Sequence, residues 1–116
     1  MINRRVYIIN GWKVTGRENI RQLENELYDI NEDYTDDLDG FYIYDNMCGE
    51  YIYFGAILDR LDLDKDFGDV IINEKLLFDA AEKYKKFLNE NPKYAEVFQK
   101  YINNEQPQVM VVLRVW

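Results

Sequence analysis

The chain has 116 residues, of which 47% are hydrophobic and 16% aromatic, so it can bury the core of one folded domain. Its formal net charge is −8, and it contains no histidine and a single cysteine, Cys48. These counts exclude an internal disulfide, Ser–His–Asp or Cys–His catalysis, and ordinary zinc sites. The apolar runs are too short to span a bilayer, and we expect a cytoplasmic protein without a secretory leader.

The first two predicted elements are a strand and a helix. Arg5–Ile9 is rich in β-branched and aromatic residues and predicts a strand, which we expect to break at Asn10-Gly11 and to resume at Trp12–Val14. A helix is then predicted from about Gly16 to about Asn31, because apolar residues recur at helical spacing. These residues are Ile20, Leu23, Leu27 and Ile30.

The rest of the chain predicts a hairpin, a broken helix and a last strand. Phe41–Tyr44 and Glu50–Phe54 are strand-like, Asn73 can cap a helix, and Asn91-Pro92 interrupts that helix before a final strand at Gln108–Trp116. The order βαββαβ is that of the ferredoxin-like arrangement. We therefore expect one α+β domain over residues 1–116, with a four-stranded antiparallel sheet and helices on one face.

Negative charge is concentrated in the middle of the chain. Residues 22–69 contain fifteen acids and two bases, a net charge of −13, whereas residues 1–21 carry +4 and residues 70–116 carry +1. A field of one sign over one segment indicates which partners the protein attracts. This field repels nucleic acid and anionic membranes and attracts basic protein surfaces. We expect no direct binding to nucleic acid or membrane.

The densest part of this segment is the predicted partner-binding surface. Helical spacing would bring Asp29 close to Glu26, Glu32 and Asp33, and such like-charge pairs cost stability. Carboxylates on a rigid surface can occupy a groove of Arg and Lys side chains through the contacts that phosphate normally makes. The predicted partner-binding residues are Glu26, Asp29, Glu32, Asp33, Tyr34, Asp36, Asp37 and Asp39.

The stretches ENELYDINEDYTDDLDG and LDRLDLDKDFGD carry a resemblance to a class of proteins. In size, charge pattern and lack of catalytic equipment, the chain resembles small acidic inhibitors from phages and mobile elements, the anti-CRISPR and anti-restriction DNA-mimic proteins. The resemblance is one of profile, since no family motif is matched. It implies a non-enzymatic inhibitor of a nucleic-acid-binding protein, such as a CRISPR effector or restriction enzyme, in a bacterial host. The alternative is an immunity or adaptor protein that binds a basic partner.

Residues 62–74 partly resemble an EF-hand calcium loop. Three carboxylates alternate as the first ligands require, but the glycine and the final glutamate each come one place late. A cation-binding module that takes calcium is therefore a second alternative, and otherwise we expect no cofactor. The competing interpretation is an acidic loop that leads into the helix capped by Asn73. The candidate metal ligands are Asp62, Asp64 and Asp66.

The first predicted strand also resembles a nucleic-acid-binding motif. Val6–Gly11 is similar to the first strand of RNA-recognition-motif domains, and Tyr7, Tyr51 and Tyr53 would lie on the sheet. A base-stacking surface needs a basic groove for the phosphates. Glu50 and the acidic segment around it have the opposite sign, so we do not expect RNA binding.

Overall fold

The computed structural model describes residues 4–35, 37–38, 40–45, 50–62, 71–103 and 105–115. None of the helices in this part of the chain is long and apolar enough to cross a membrane. The elements are β1 (Arg4–Thr15), α1 (Arg17–Ile30), β2 (Asp37–Leu38), β3 (Phe41–Asp45), β4 (Tyr51–Asp62), α2 (Glu74–Glu90), α3 (Pro92–Ile102) and β5 (Gln108–Val115).

The strands form an antiparallel sheet in the order β2-β3-β4-β1-β5. Because β2 has only two residues, the sheet consists essentially of four long strands. The predicted α+β class and four-stranded antiparallel sheet are therefore confirmed. The two longest strands, β1 and β4, pair with each other at the centre, and β5 forms one edge.

The predicted break at Asn10-Gly11 is wrong, because β1 continues through it. Gly11 lies directly opposite Gly55 of β4. A Cβ atom on Gly11 would lie 2.5 Å from the Cα atom of Gly55, and one on Gly55 would lie 2.6 Å from the carbonyl oxygen of Asn10. Glycine is required here by the close approach of two backbones and not by a turn.

The main core lies on one face of the sheet, where residues of all three helices pack against β1, β3 and β4. The predicted helical stripe is confirmed, since its first three members are buried in α1. Rings from strands and helices stack across this core: Phe41 lies 4.2 Å from Phe87, and Phe54 lies 4.3 Å from Phe98, between ring centroids. The Trp12 indole N–H donates to the Glu105 carbonyl at 2.9 Å, which holds the start of β5 near β1.

The predicted start of α2 and the break after it are both confirmed. The Asn73 side chain accepts a hydrogen bond from the backbone N–H of Leu76 at 2.9 Å, which is an N-cap. Asn91 separates the two helices, and its side-chain N–H donates to the Phe87 carbonyl at 2.9 Å. Pro92 then occupies the first turn of α3, where a missing backbone N–H costs nothing.

Replacing Gly11 by alanine tests the close approach of β1 and β4. The added methyl group meets backbone atoms that cannot rotate away, so we expect Gly11→Ala to lower the free energy of unfolding by about 1–3 kcal/mol, as overpacking does. Urea titration followed by circular dichroism measures this change. Thr15→Ala, at an exposed position of the same strand, is the control and should shift stability by less than about 0.5 kcal/mol. Equal stability of both variants would contradict the close approach of the two backbones.

Candidate acidic interface

Three of the predicted partner-binding carboxylates lie together at the end of α1. Asp29, Glu32 and Asp33 are exposed, and none of them has an ion pair among the described residues. The helix ends at Ile30, so Glu32 and Asp33 lie in the following turn and their predicted helical spacing from Asp29 is wrong. In this turn the side-chain oxygen of Asn31 accepts a hydrogen bond from the backbone N–H of Asp33 at 3.0 Å.

The electrostatic surroundings of these carboxylates are unfavourable. The C-terminal end of a helix carries the negative end of its macrodipole, which favours nearby cations. The last turn of α1 contains no basic residue. The acidic side chains therefore add to a negative potential that the local sequence does not compensate. We call Asp29, Glu32 and Asp33, together with Glu24 and Asp45, the acidic interface.

Glu26, also predicted to bind a partner, is already bound within the molecule. Its carboxylate pairs with the Lys100 ammonium and accepts a hydrogen bond from the Tyr101 hydroxyl at 3.0 Å. The hydrogen bond from Lys100 lowers the pKa of Glu26, and Tyr101 acts in the same direction. Glu26 therefore joins α1 to α3, and its charge is largely balanced.

Tyr34 is buried and holds one carboxylate of the acidic interface, that of Asp45. Its side chain is 8% exposed, and its hydroxyl donates to Asp45 at 3.1 Å. Burial raises the pKa of the Tyr34 hydroxyl, and the charge of Asp45 raises it further. Tyr34 thus remains a neutral hydrogen-bond donor that holds the Asp45 carboxylate in place.

Asp45 was not predicted as a site residue, yet it lies beside both Glu24 and Tyr34. It ends β3 and lies near Glu24 of α1. Burial raises the pKa of the Glu24 carboxyl, and the adjacent carboxylate of Asp45 raises it again. One Asp45 oxygen is buried and receives no hydrogen bond from the described residues. Strand alternation in the sequence indicates this position, since Asp45 lies on the same face of β3 as Phe41 and Ile43.

The remaining predicted site residues lie wholly or partly outside the described residues. Asp36 and Asp39 are in that group, and so is the side chain of Asp37, although its backbone pairs with Tyr42 in the sheet. The candidate metal ligands also lie wholly or partly outside the described residues. Asp62 ends β4, but its side chain is outside the described part of the chain, and Asp64 and Asp66 are outside it entirely. Within the described part of the chain, no three acidic, cysteine or histidine side chains converge as metal ligands do.

The face of the sheet away from the main core carries a row of tyrosines. Tyr7 and Tyr42 are both buried there, and their rings stack at 4.2 Å between centroids. Tyr51 and Tyr53 lie at the other end of this row, with the Lys13 ammonium 4.6 Å from the Tyr51 ring. Because Tyr7 packs inside the protein, it does not offer an open ring for base stacking.

Comparison of the chain with protein-family models, with curated proteins and with solved structures gives no significant match.

Replacing Glu24 by glutamine tests the carboxyl pair. Because folding raises the pKa of Glu24, its stabilising contribution is complete below its unfolded pKa and is lost as pH rises through the folded pKa. At about pH 7 we expect Glu24→Gln to stabilise the protein by about 0.5–1.5 kcal/mol, since the new amide can donate to the buried oxygen of Asp45. The gain should shrink at about pH 4, where Glu24 is mostly protonated.

Urea unfolding at the two pH values measures this difference. The matched control is Glu32→Gln, which removes an exposed carboxylate from the same surface. It should change stability by less than about 0.5 kcal/mol. A destabilising Glu24→Gln at neutral pH would show that the two carboxyls do not oppose each other.

Proposed function

We propose that the protein is a non-enzymatic inhibitor that binds a basic, nucleic-acid-binding surface of another protein through the acidic interface. The observation that carries this proposal is the exposed group Asp29, Glu32 and Asp33, which has no ion pair among the described residues. It lies at the helix end where the macrodipole makes negative charge least favourable.

The cost of this arrangement supports a functional use. Ordinary surfaces intersperse charges of both signs, and unfavourable groups are retained where activity needs them. Elsewhere in the described structure acids do find partners, as Glu26 does with Lys100 and Glu82 does with Lys85. At the acidic interface Glu24 instead lies beside another carboxyl group.

The chemistry of carboxylates indicates the kind of target. Arg and Lys side chains bind carboxylate and phosphate oxygens with similar geometry, and Arg can hold either group with two parallel hydrogen bonds. A groove that binds nucleic acid would therefore accept a rigid row of carboxylates. Asp45 is held rigid by Tyr34, and α1 is held by the Glu26–Lys100 contact, so the surface is preorganised for such binding. The expected setting is the cytoplasm of a bacterial host, where CRISPR effectors and restriction enzymes act.

We also propose that the architecture is the ferredoxin-like arrangement. Its support is that α1 connects β1 to β3 while β4 lies between these two strands in the sheet. The pair α2 and α3 then forms the second helical connection, from β4 to β5.

Charge reversal tests the proposed interface. The protein is immobilised and exposed to nuclease-treated host lysate at low and moderate salt, and retained proteins are identified by mass spectrometry. We expect a nucleic-acid-binding protein to be retained and to be displaced by its own DNA or RNA. The triple variant Asp29→Lys, Glu32→Lys, Asp33→Lys should weaken this binding at least about tenfold, since it places like charges opposite the basic groove.

The matched control carries the same change in net charge at another surface. Asp59→Lys, Glu74→Lys and Asp79→Lys replace three exposed acids of β4 and α2. Binding by this control should stay within about threefold of the unmodified protein, because its charges lie outside the interface. If both triple variants lose binding equally, the loss would follow from net charge alone, and a defined interface would be refuted. A retained basic partner that nucleic acid does not displace would favour the immunity or adaptor alternative.

A further inference from the structure

Among the described residues, the edge strand β5 pairs with another strand on one side only. It pairs with β1 from Arg4 to Gly11 without a bulge, and no described strand lies on its other side. Open edges expose unpaired N–H and C=O groups, and proteins usually blunt them with short strands, charges, proline or bulges. The opposite edge is blunted in this way by the two-residue β2. In contrast, β5 has eight residues, no proline and one charged residue, Arg114.

Three aliphatic side chains make this edge apolar. Val109, Val111 and Leu113 are 42%, 58% and 52% exposed, and alternation places them on one face of β5. Their neighbours across the pairing with β1 include Ile8 and Val6, which are buried. The apolar layer of the sheet thus continues outward from β1 onto β5 and stops at an edge that no described strand covers.

We propose that β5 pairs antiparallel with β5 of a second copy of this chain, around a two-fold axis at Val111. In such a symmetric contact the same surface serves both partners, so the strand must be complementary to itself. With the axis at Val111, Val109 of one copy faces Leu113 of the other, and Val111 faces Val111. In this register the three exposed aliphatic residues of one copy face the same three residues of the other copy.

Charge also favours a second copy at this edge. In the same register Arg114 lies opposite Gln108, so no two like charges face each other across the strands. Asp45 of the acidic interface ends β3, which is separated from β5 by β4 and β1 in the sheet. Pairing through β5 therefore places the two negative surfaces far apart, whereas pairing through the β2 edge would bring them together.

The size of the contact sets the expected strength. Eight residues of strand extend for about 26 Å, and one added strand pair buries less than the roughly 1,200 Å² of a standard interface. We therefore expect a reversible dimer that forms as protein concentration rises through the micromolar range. This proposal does not depend on the proposed function, because it concerns another surface.

Sedimentation equilibrium over a range of concentrations tests the dimer. We expect the mass of the unmodified protein to rise from 14.0 kDa toward twice that value. Val111→Lys and Val111→Glu should each stay monomeric, since the symmetric contact would place two like charges face to face. An equimolar mixture of the two should dimerise, because Lys then faces Glu. An unmodified protein that stays monomeric at every concentration would overturn the proposal.

The control for the charge variants is Tyr28→Lys. Tyr28 is 55% exposed on α1, which packs on β1 and α3. This variant should dimerise like the unmodified protein, and a monomeric Tyr28→Lys would contradict the assignment to β5. Val111→Lys should in turn bind partners of the acidic interface normally, so failure of one proposal can be told apart from failure of the other.

Cysteine cross-linking tests the register directly, in a Cys48→Ser background. Val111→Cys should form a disulfide-linked dimer under mild oxidation, because directly opposite residues of paired strands lie within disulfide distance. Val109→Cys alone should not, whereas a mixture of Val109→Cys with Leu113→Cys should cross-link. Efficient cross-linking of Val109→Cys with itself would overturn the register centred on Val111.

Discussion

The close approach of β1 and β4 at Gly11 and Gly55 is the contact on which the rest of the structure depends. Two twelve-residue strands run side by side there without intervening Cβ atoms. This contact sets their register, and a slip of one residue would move every side chain to the other face of the sheet. In the observed register Trp12 lies opposite Phe54, and both rings face the helices.

The pairing of β3 with β4 positions Asp45 of the acidic interface. β3 pairs with β4 so that Ile43 lies opposite Phe54 and Asp45 lies opposite Ile52. Asp45 therefore takes the last core-facing position of its strand, where it meets Glu24 of α1. A carboxylate at such a position is costly unless it is hydrogen-bonded. Tyr34 donates a hydrogen bond to only one of the two Asp45 oxygens. The fold tolerates this cost at one end of the sheet, next to the exposed acids that we propose as a binding surface.

The two proposed surfaces involve different strands of one sheet. Asp45 of the acidic interface ends β3, and the apolar edge is β5, with β4 and β1 between these two strands. Because of this separation, a dimer formed through β5 would leave both acidic interfaces accessible.

The sequence by itself determined most of the helices and strands and their order along the chain, because periodicity, caps and breakers act locally. The buried side of α1 was predicted from the spacing of Ile20, Leu23 and Leu27, and two helix starts were predicted from Asn73 and Pro92. Only the tertiary structure decided the role of Gly11, since its partner Gly55 is distant in the chain. It likewise brought Glu24 to Asp45, bound Glu26 to Lys100 and buried Tyr34. These outcomes depend on contacts between residues far apart in sequence, which composition and spacing do not encode.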